Sequence, residues 1–390
     1  MDVILKYQAY RNILKTGFLV VGGKPGHALP ADARNATSMH FGDAAVFLGW
    51  YMGVLATEYY LLSNGLMPSG TLHPRKTLRE LFFALKALDR LIQTAPGYFN
   101  PLAQSQPVLN QGFFIRDDVP QEIRFHFRGV TRVVSDYQAA VKTQNEESQD
   151  QLIHLLLGLS LVRRFIPAET AVLGKNLIAL SQRLAYEICA WPSRTRWVIR
   201  NPYLDLKKVD RGPYAVLFSH PIIKLLERVD GRASELKPTV CLLFKILWKY
   251  VLKHNLGRAS NATNLHLILT LASLSDSWSR NSLRFLIRLS RKFDWPVYPL
   301  LNVVMWGDVR PWKKPWIPAL REWAGPMLRS APEGGLSYDG SPPGWKASHR
   351  FLFGREAQEE GQSYYAGMSF PGVDFMLLHN LFQIANSLRG

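Results

Sequence analysis

The loop Gly112-Phe-Phe-Ile-Arg116-Asp117-Asp118-Val-Pro120 groups two adjacent carboxylates with an arginine. In an extended segment neighbouring side chains point to opposite sides, so either Asp117 or Asp118 can face a groove while the other anchors the loop. Hydrolysis of a glycosidic bond needs two such groups, one an acid with raised pKa and one a base or nucleophile. The structural use of the same pair is an Asx-turn ahead of the residues after Pro120.

Several helix starts carry further polar side chains. In Ser260-Asn261-Ala-Thr263-Asn264-Leu-His266, Asn264 and His266 lie near a first turn. A helix N-terminus keeps an imidazole neutral. An Asn that polarises a uronate carboxylate and a His that removes the C5 proton would together support β-elimination. In Ser148-Gln-Asp150-Gln-Leu-Ile-His154, Asp150 and His154 share a helical face. Asp374 and His379 are five residues apart, do not share a face, and are expected to do different jobs. Asp43, just after His40, is another helix-start carboxylate, and each of these is also a natural cap.

Glu58 stands mid-helix among apolar residues, so it must be ion-paired or carry a raised pKa. Arg116 suits a substrate carboxylate or sulfate, and Trp345 suits the apolar face of a sugar ring. Asp150 with His154 lacks a third ligand, so no metal is expected. No Gly-rich phosphate loop, nucleophile elbow or paired-cysteine pattern occurs, so no cofactor is expected either. The Asp117–Glu122 stretch shares letters with the magnesium–diphosphate element of class I terpene synthases. That element sits inside a helix, which Pro120 forbids.

The elements that must position these residues are helices. Period-3.6 apolar patterning predicts them at about Asp43–Asn64, Arg75–Ala95, Val130–Thr143, Gln149–Phe165, Ala168–Ala190 and Tyr214–Val229. Further ones are predicted at about Leu236–His254, Asn261–Ser275, Ser277–Phe293, Val297–Trp306, Ile317–Arg329 and Val373–Leu388. Three long Gly-, Pro- and aromatic-rich interruptions, Pro96–Pro120, Trp191–Pro213 and Ala331–Pro371, read as ordered rim loops. No linker-like tract divides the chain. One domain over residues 1–390 is expected, with residues 1–40 as an N-terminal extension packed on it.

The 390 residues include 47 Lys+Arg against 30 Asp+Glu, a net charge of +17 that favours anionic partners. The basic residues are dispersed, and no nucleic-acid-binding module is recognisable, so nucleic acid is not the expected partner. No uninterrupted apolar run is long enough to span a membrane. The two cysteines, Cys189 and Cys241, sit in apolar segments and read as buried thiols. Gly17–Val21 is too short for an export signal, so the expectation is a cytoplasmic protein or a trimmed exported one.

About a dozen antiparallel helices without a fixed repeat fit an all-α closed ring of helical hairpins, the (α/α)6 toroid or barrel. The opening segments His40–Leu62 and Thr77–Leu91 resemble the first hairpins of (α/α)-toroid carbohydrate-active enzymes. That resemblance implies that inner helices run the same way, with their N-terminal ends on one rim. It also implies a glycoside hydrolase or polysaccharide lyase acting on a neutral or acidic glycan. Asp117, Asp118, Asp150 and His266 are then the candidate catalytic residues. Asp43, Glu58, Arg116, His154, Asn264, Trp345, Asp374 and His379 are the candidate substrate-binding residues. A non-catalytic glycan- or polyanion-binding helical protein is the alternative.

Overall fold

The computed structural model describes residues 2–68, 70, 72–99, 112–194, 199, 215–229, 262–274, 280–292, 294–307, 310–337, 345 and 367–388. Its helices are α1 (Val3–Ile13), α2 (Ala44–Ser63), α3 (Pro74–Phe99), α4 (Gln149–Phe165), α5 (Leu177–Arg194) and α6 (Ala215–Val229). They continue with α7 (Ala262–Leu274), α8 (Arg280–Lys292), α9 (Val297–Trp306), α10 (Ile317–Ser330) and α11 (Val373–Ser387). The short strands are β1 (Asp32–Asn35), β2 (Ser38–His40), β3 (Arg132–Val134), β4 (Ala171–Val172), β5 (Lys175–Asn176), β6 (Leu336–Ser337) and β7 (Ser369–Phe370).

Apolar all-round helices seek burial on every side, and α2, α4 and α9 are of this kind. They form part of a closed circuit in which α2 packs on α4, α4 on α7, α7 on α9, α9 on α11, and α11 back on α2. Helix α6 touches both α4 and α7. Around this circuit α3, α5, α8, α10 and α1 pack from outside, on α2, α4, α9, α11 and again α11 respectively.

Helix α2 runs the same way as its two neighbours in the circuit, α11 and α4. Going along α2, Gly53 faces Leu377 of α11, while Val54 and Thr57 meet Asn380 one turn further on. Gly49 of α2 abuts His154 and Gly158 of α4, and Gly53 abuts Leu161. The outer helix α3 runs opposite to α2, because Glu80 reaches Tyr51 whereas the earlier Thr77 reaches the later Glu58. Helix α2 is long and apolar enough to cross a membrane by length and composition. Here 83% of that window is buried inside the protein, so it is a core helix.

The chain is mostly helical but not all-α, which corrects the expectation from sequence. Five strands join in the order β3-β2-β1-β7-β6. Strands β1 and β2 form an antiparallel hairpin, β3 pairs parallel with β2 at Met39↔Val133, and β7 pairs with β1 at Ala33↔Ser369. The hairpin turn is set by Asn35, whose Oδ1 accepts from Thr37 N–H and Oγ1–H, both at 3.0 Å. The sheet ties together the segments that lead into α2, α4 and α11. Residues Val130–Thr143, expected as a helix, instead form β3 and two short 3-10 turns. The segment Leu236–His254 lies outside the described residues.

Residues 1–40 pack into the body of the protein. Tyr7 and Tyr10 of α1 are fully buried, and β1 is the middle strand of the sheet. Inside α1, Arg11 donates from Nε to Glu58 Oε2 at 2.7 Å and from Nη2 to both Glu58 and Glu80.

Candidate functional site

Helices α2 and α4 begin side by side, and the polar residues at those starts form the site. Helix α4 opens with a capping box: Gln151 accepts at 3.2 Å from the Ser148 N–H, while Ser148 caps the third residue. Gln151 also donates to the Gly42 carbonyl, one residue before Asp43, at 3.3 Å, which locks the two starts together. Asp150, in the first turn of α4, accepts from Ser148 Oγ. Asp43, at the N-cap position of α2, makes no capping hydrogen bond, so its carboxylate is not used to hold the helix end.

Five residues complete the cluster: Asp32, Arg34, His40, Arg116 and Asp136. His40 ends β2 and lies with Nδ1 3.5 Å from Asp32 Oδ1 and Nε2 3.4 Å from an Arg34 nitrogen. Arg116 holds Glu146 O through Nε at 2.6 Å and faces Asp136 Oδ2 at 3.9 Å. Gly42 lies among these groups: a methyl there would meet His40 Cε1 at 2.9 Å and Asp136 Oδ2 at 3.6 Å. Asp43, Asp150, Asp136, Arg116 and His40 are all partly accessible, as an acid–base site requires.

The electrostatics divide the carboxyls by role. Burial, then the charges of Asp150 and Asp32, push Asp43 up to about 7 against the pull of Arg116 and His40. Asp136 is also raised, by burial, with Arg116 and His40 opposing. His40 is held above the ordinary imidazole value; burial acts downwards, but the hydrogen bond and charge of Asp32 outweigh it. Around pH 7 Asp43 thus exchanges its proton beside a second carboxyl, Asp150, a setting suited to acid–base chemistry. Among the described residues, no group of three or more His, Cys, Asp or Glu is disposed to hold a metal ion.

The sequence-nominated residues fall into two sets. Asp43, Asp150 and Arg116 come together at this site. Asp117 adjoins it from beneath but is fully buried, accepting from Ser135 Oγ, from Val119 N at 3.0 Å and from Asp136 N at 2.8 Å. Burial raises its carboxyl to about 7, and its hydrogen bonds hold the loop that carries Arg116 and Asp136. Asp118 turns away into a partly buried ion pair with Arg90, Nε to Oδ2 2.8 Å, and accepts from Gly26 N at 2.9 Å. Both are anchors of the loop.

The remaining nominees belong to the core. Glu58 is completely buried, accepting from Arg11, from Tyr7 Oη at 2.7 Å and from Thr77 Oγ1 at 2.6 Å. His154 accepts from Trp50 Nε1 at 2.9 Å and stacks on His266, centroids 5.3 Å apart and planes 8° from parallel. Burial keeps His154 neutral by driving its pKa well down. His379 is buried against Tyr7 at 4.5 Å, and burial lowers it to about 4. Asp374 is buried at the start of α11 and accepts from Phe375 N at 2.9 Å. Trp345 is fully buried, donates to Met327 O at 3.0 Å and packs edge-on against Trp295, so it is a core side chain and not a sugar platform. The side chain of Asn264 lies outside the described residues, as do Cys241 and most of the three long interruptions. Cys189 is a buried free thiol.

Sequence reasoning missed Asp32, Arg34, His40 and Asp136 as members. Asp32 and Arg34 alternate with Ala33 along β1, and His40 ends the paired strand. A hairpin signal at Asn35-Ala-Thr37 would have placed these three on neighbouring strands. No family model, curated protein or solved structure matches the chain.

Proposed function

We propose that this chain is a carbohydrate-active enzyme that hydrolyses glycosidic bonds, with Asp43 as general acid and Asp150 as the partner carboxylate. The circuit of inner helices, with α4, α2 and α11 like-directed, is read as an (α/α) toroid whose N-terminal rim carries the substrate groove. The observation that carries this reading is the pairing of Asp43, raised to about 7, with Asp150 at the adjacent helix start. One carboxyl of such a pair donates to the leaving oxygen of a glycosidic bond while the other stabilises or attacks the anomeric carbon, directly or through water. Arg34, Arg116 and His40 supply donors for hydroxyls or for the carboxylate of an acidic sugar. The elimination route through Asn264 and His266 loses support because His266 lies in the core, 4% exposed and stacked on His154.

The test is a panel of neutral and acidic oligosaccharides incubated with the protein, monitored for new reducing ends and for the ultraviolet absorbance of unsaturated uronates. Reducing ends without absorbance are expected, abolished by Asp43→Asn and by Asp150→Asn. Absorbance appearing with the reducing ends would move the mechanism to elimination. Absence of both across the panel would leave the non-catalytic glycan-binding alternative.

A further inference from the structure

A cavity lies on the outer wall and shares no residue with the cluster around Asp43. Its volume is about 580 Å³, within the range of small-molecule sites, about 300–1,000 Å³. It is lined by Lys15, Leu19, Val20 and Val21 after α1, by Lys76, Arg79 and Glu80 from the first turns of α3, and by His126.

The charge of this wall is one-sided. Its only carboxylate, Glu80, is occupied: Arg11 donates to it from within at 2.8 Å, Tyr51 Oη at 2.8 Å, and Lys15 pairs with it from outside. Burial opposes ionisation of Glu80, but Arg11 and Lys15 outweigh it and hold the carboxyl below its usual range. Lys76 and Arg79 are exposed, and neither makes an ion pair with a described residue. Arg79 is instead propped over the Phe83 ring, 5.9 Å from its centroid, which restrains a long side chain at the cavity edge.

The backbone adds an independent sign. Lys15 sits in a π-helical turn, Leu14–Phe18, that interrupts the end of α1 immediately before the Leu19–Val21 wall. Such turns are rare and concentrate at functional sites, because they cost helical hydrogen-bond geometry that a plain α-helix keeps.

From these observations we infer that the cavity is a binding site for a small ligand bearing a tetrahedral oxyanion, a phosphate or sulfate ester on a ring of sugar size. Lys15, Lys76 and Arg79 take the oxyanion, and Leu19, Val20 and Val21 take the apolar face of the ring. Two unpaired cations favour a tetrahedral ester over a single carboxylate, since Arg offers a planar fork and Lys a point charge to separate oxygens. The inference does not rest on the hydrolytic reading of the Asp43 site.

Calorimetric titration of the full chain with a hexose phosphate, a hexose sulfate, the free hexose and inorganic phosphate tests it. One or both esters are expected to bind more tightly than inorganic phosphate, with the free hexose silent; the preferred ester identifies the source. The exposed double variant K76Q/R79Q should weaken ester binding by about tenfold or more, as loss of charge-assisted hydrogen bonds does. A charge-matched control at the exposed Arg128 and Arg132, R128Q/R132Q, should leave it unchanged. Failure of both esters to bind, or equal losses in the two double variants, would overturn the assignment.

Discussion

Gly49 of α2 and Gly158 of α4 meet backbone to backbone. A Cβ on Gly158 would lie 3.0 Å from the Gly49 carbonyl carbon and collide with its oxygen. One on Gly49 would lie 2.8 Å from Leu155 N and collide with the His154 carbonyl. Absence of both side chains lets the two helices approach closely, and that approach sets Asp43 beside Asp150. Gly158→Ala should therefore destabilise the protein by about 1–3 kcal/mol through overpacking. It should also lower turnover more than substrate affinity. Denaturant titration and steady-state kinetics on the same preparation check both.

Asp43→Asn should leave the fold intact, since Asp43 makes no capping hydrogen bond to α2. Loss of a general acid predicts a rate lower by about a hundredfold to ten-thousandfold. On the proposed reading, activity of the unsubstituted protein should fall as pH rises through about 7, where Asp43 gives up its proton. The residual activity of the Asn variant should lack that alkaline limb.

Stability should carry the same signature. Asp43 and Asp117 are both raised to about 7 in the folded chain, against about 3.9 for an unfolded Asp. Between those values the folded state binds more protons, so their contribution is full below pH of about 4 and is lost as pH rises to about 7. Asp43→Asn should make the decline of Tm across that window shallower. An unchanged slope would contradict the raised value.

Glu58→Ala should be among the most damaging single changes. It strips Arg11, 1% exposed, of its closest ion-pair partner and leaves the hydroxyls of Tyr7 and Thr77 without this acceptor. Breaking a buried pair from one side costs about 3–5 kcal/mol. The midpoint of chemical unfolding should move accordingly, whereas Asp118→Asn, facing the partly exposed Arg90, should cost less.

Helices with uninterrupted apolar periodicity were legible from sequence: α4 and α9 run over the spans their patterning predicts. Helix α1 was not, because Lys6 and Arg11 are buried and interrupt any apolar stripe in Val3–Ile13. The strands have two to four residues each, too short for an alternating pattern, and four of them, β1 with β7 and β2 with β3, pair with partners far along the chain. At the site, Asp43 and Asp150 were visible as helix-start carboxylates, but not which of them would be raised, because that depends on Asp32 and on packing between helices. The loop pair was misleading for a related reason. Asp117 and Asp118 are consumed by Ser135 and Arg90, which sequence separates from them by 18 and 28 residues.

The hydrogen bond of 3.1 Å from Asn380 to Tyr7 Oη joins residues 373 positions apart, and β7 pairs with β1 over a comparable separation. Contacts of that range form only after the entropy of closing a very long loop has been met. Slow, late-committing folding follows, with the circuit of helices left open along one seam until Gly367–Leu388 docks. Until that docking, the face of α2 that carries Gly53, Val54 and Thr57 lacks the cover of Leu377 and Asn380.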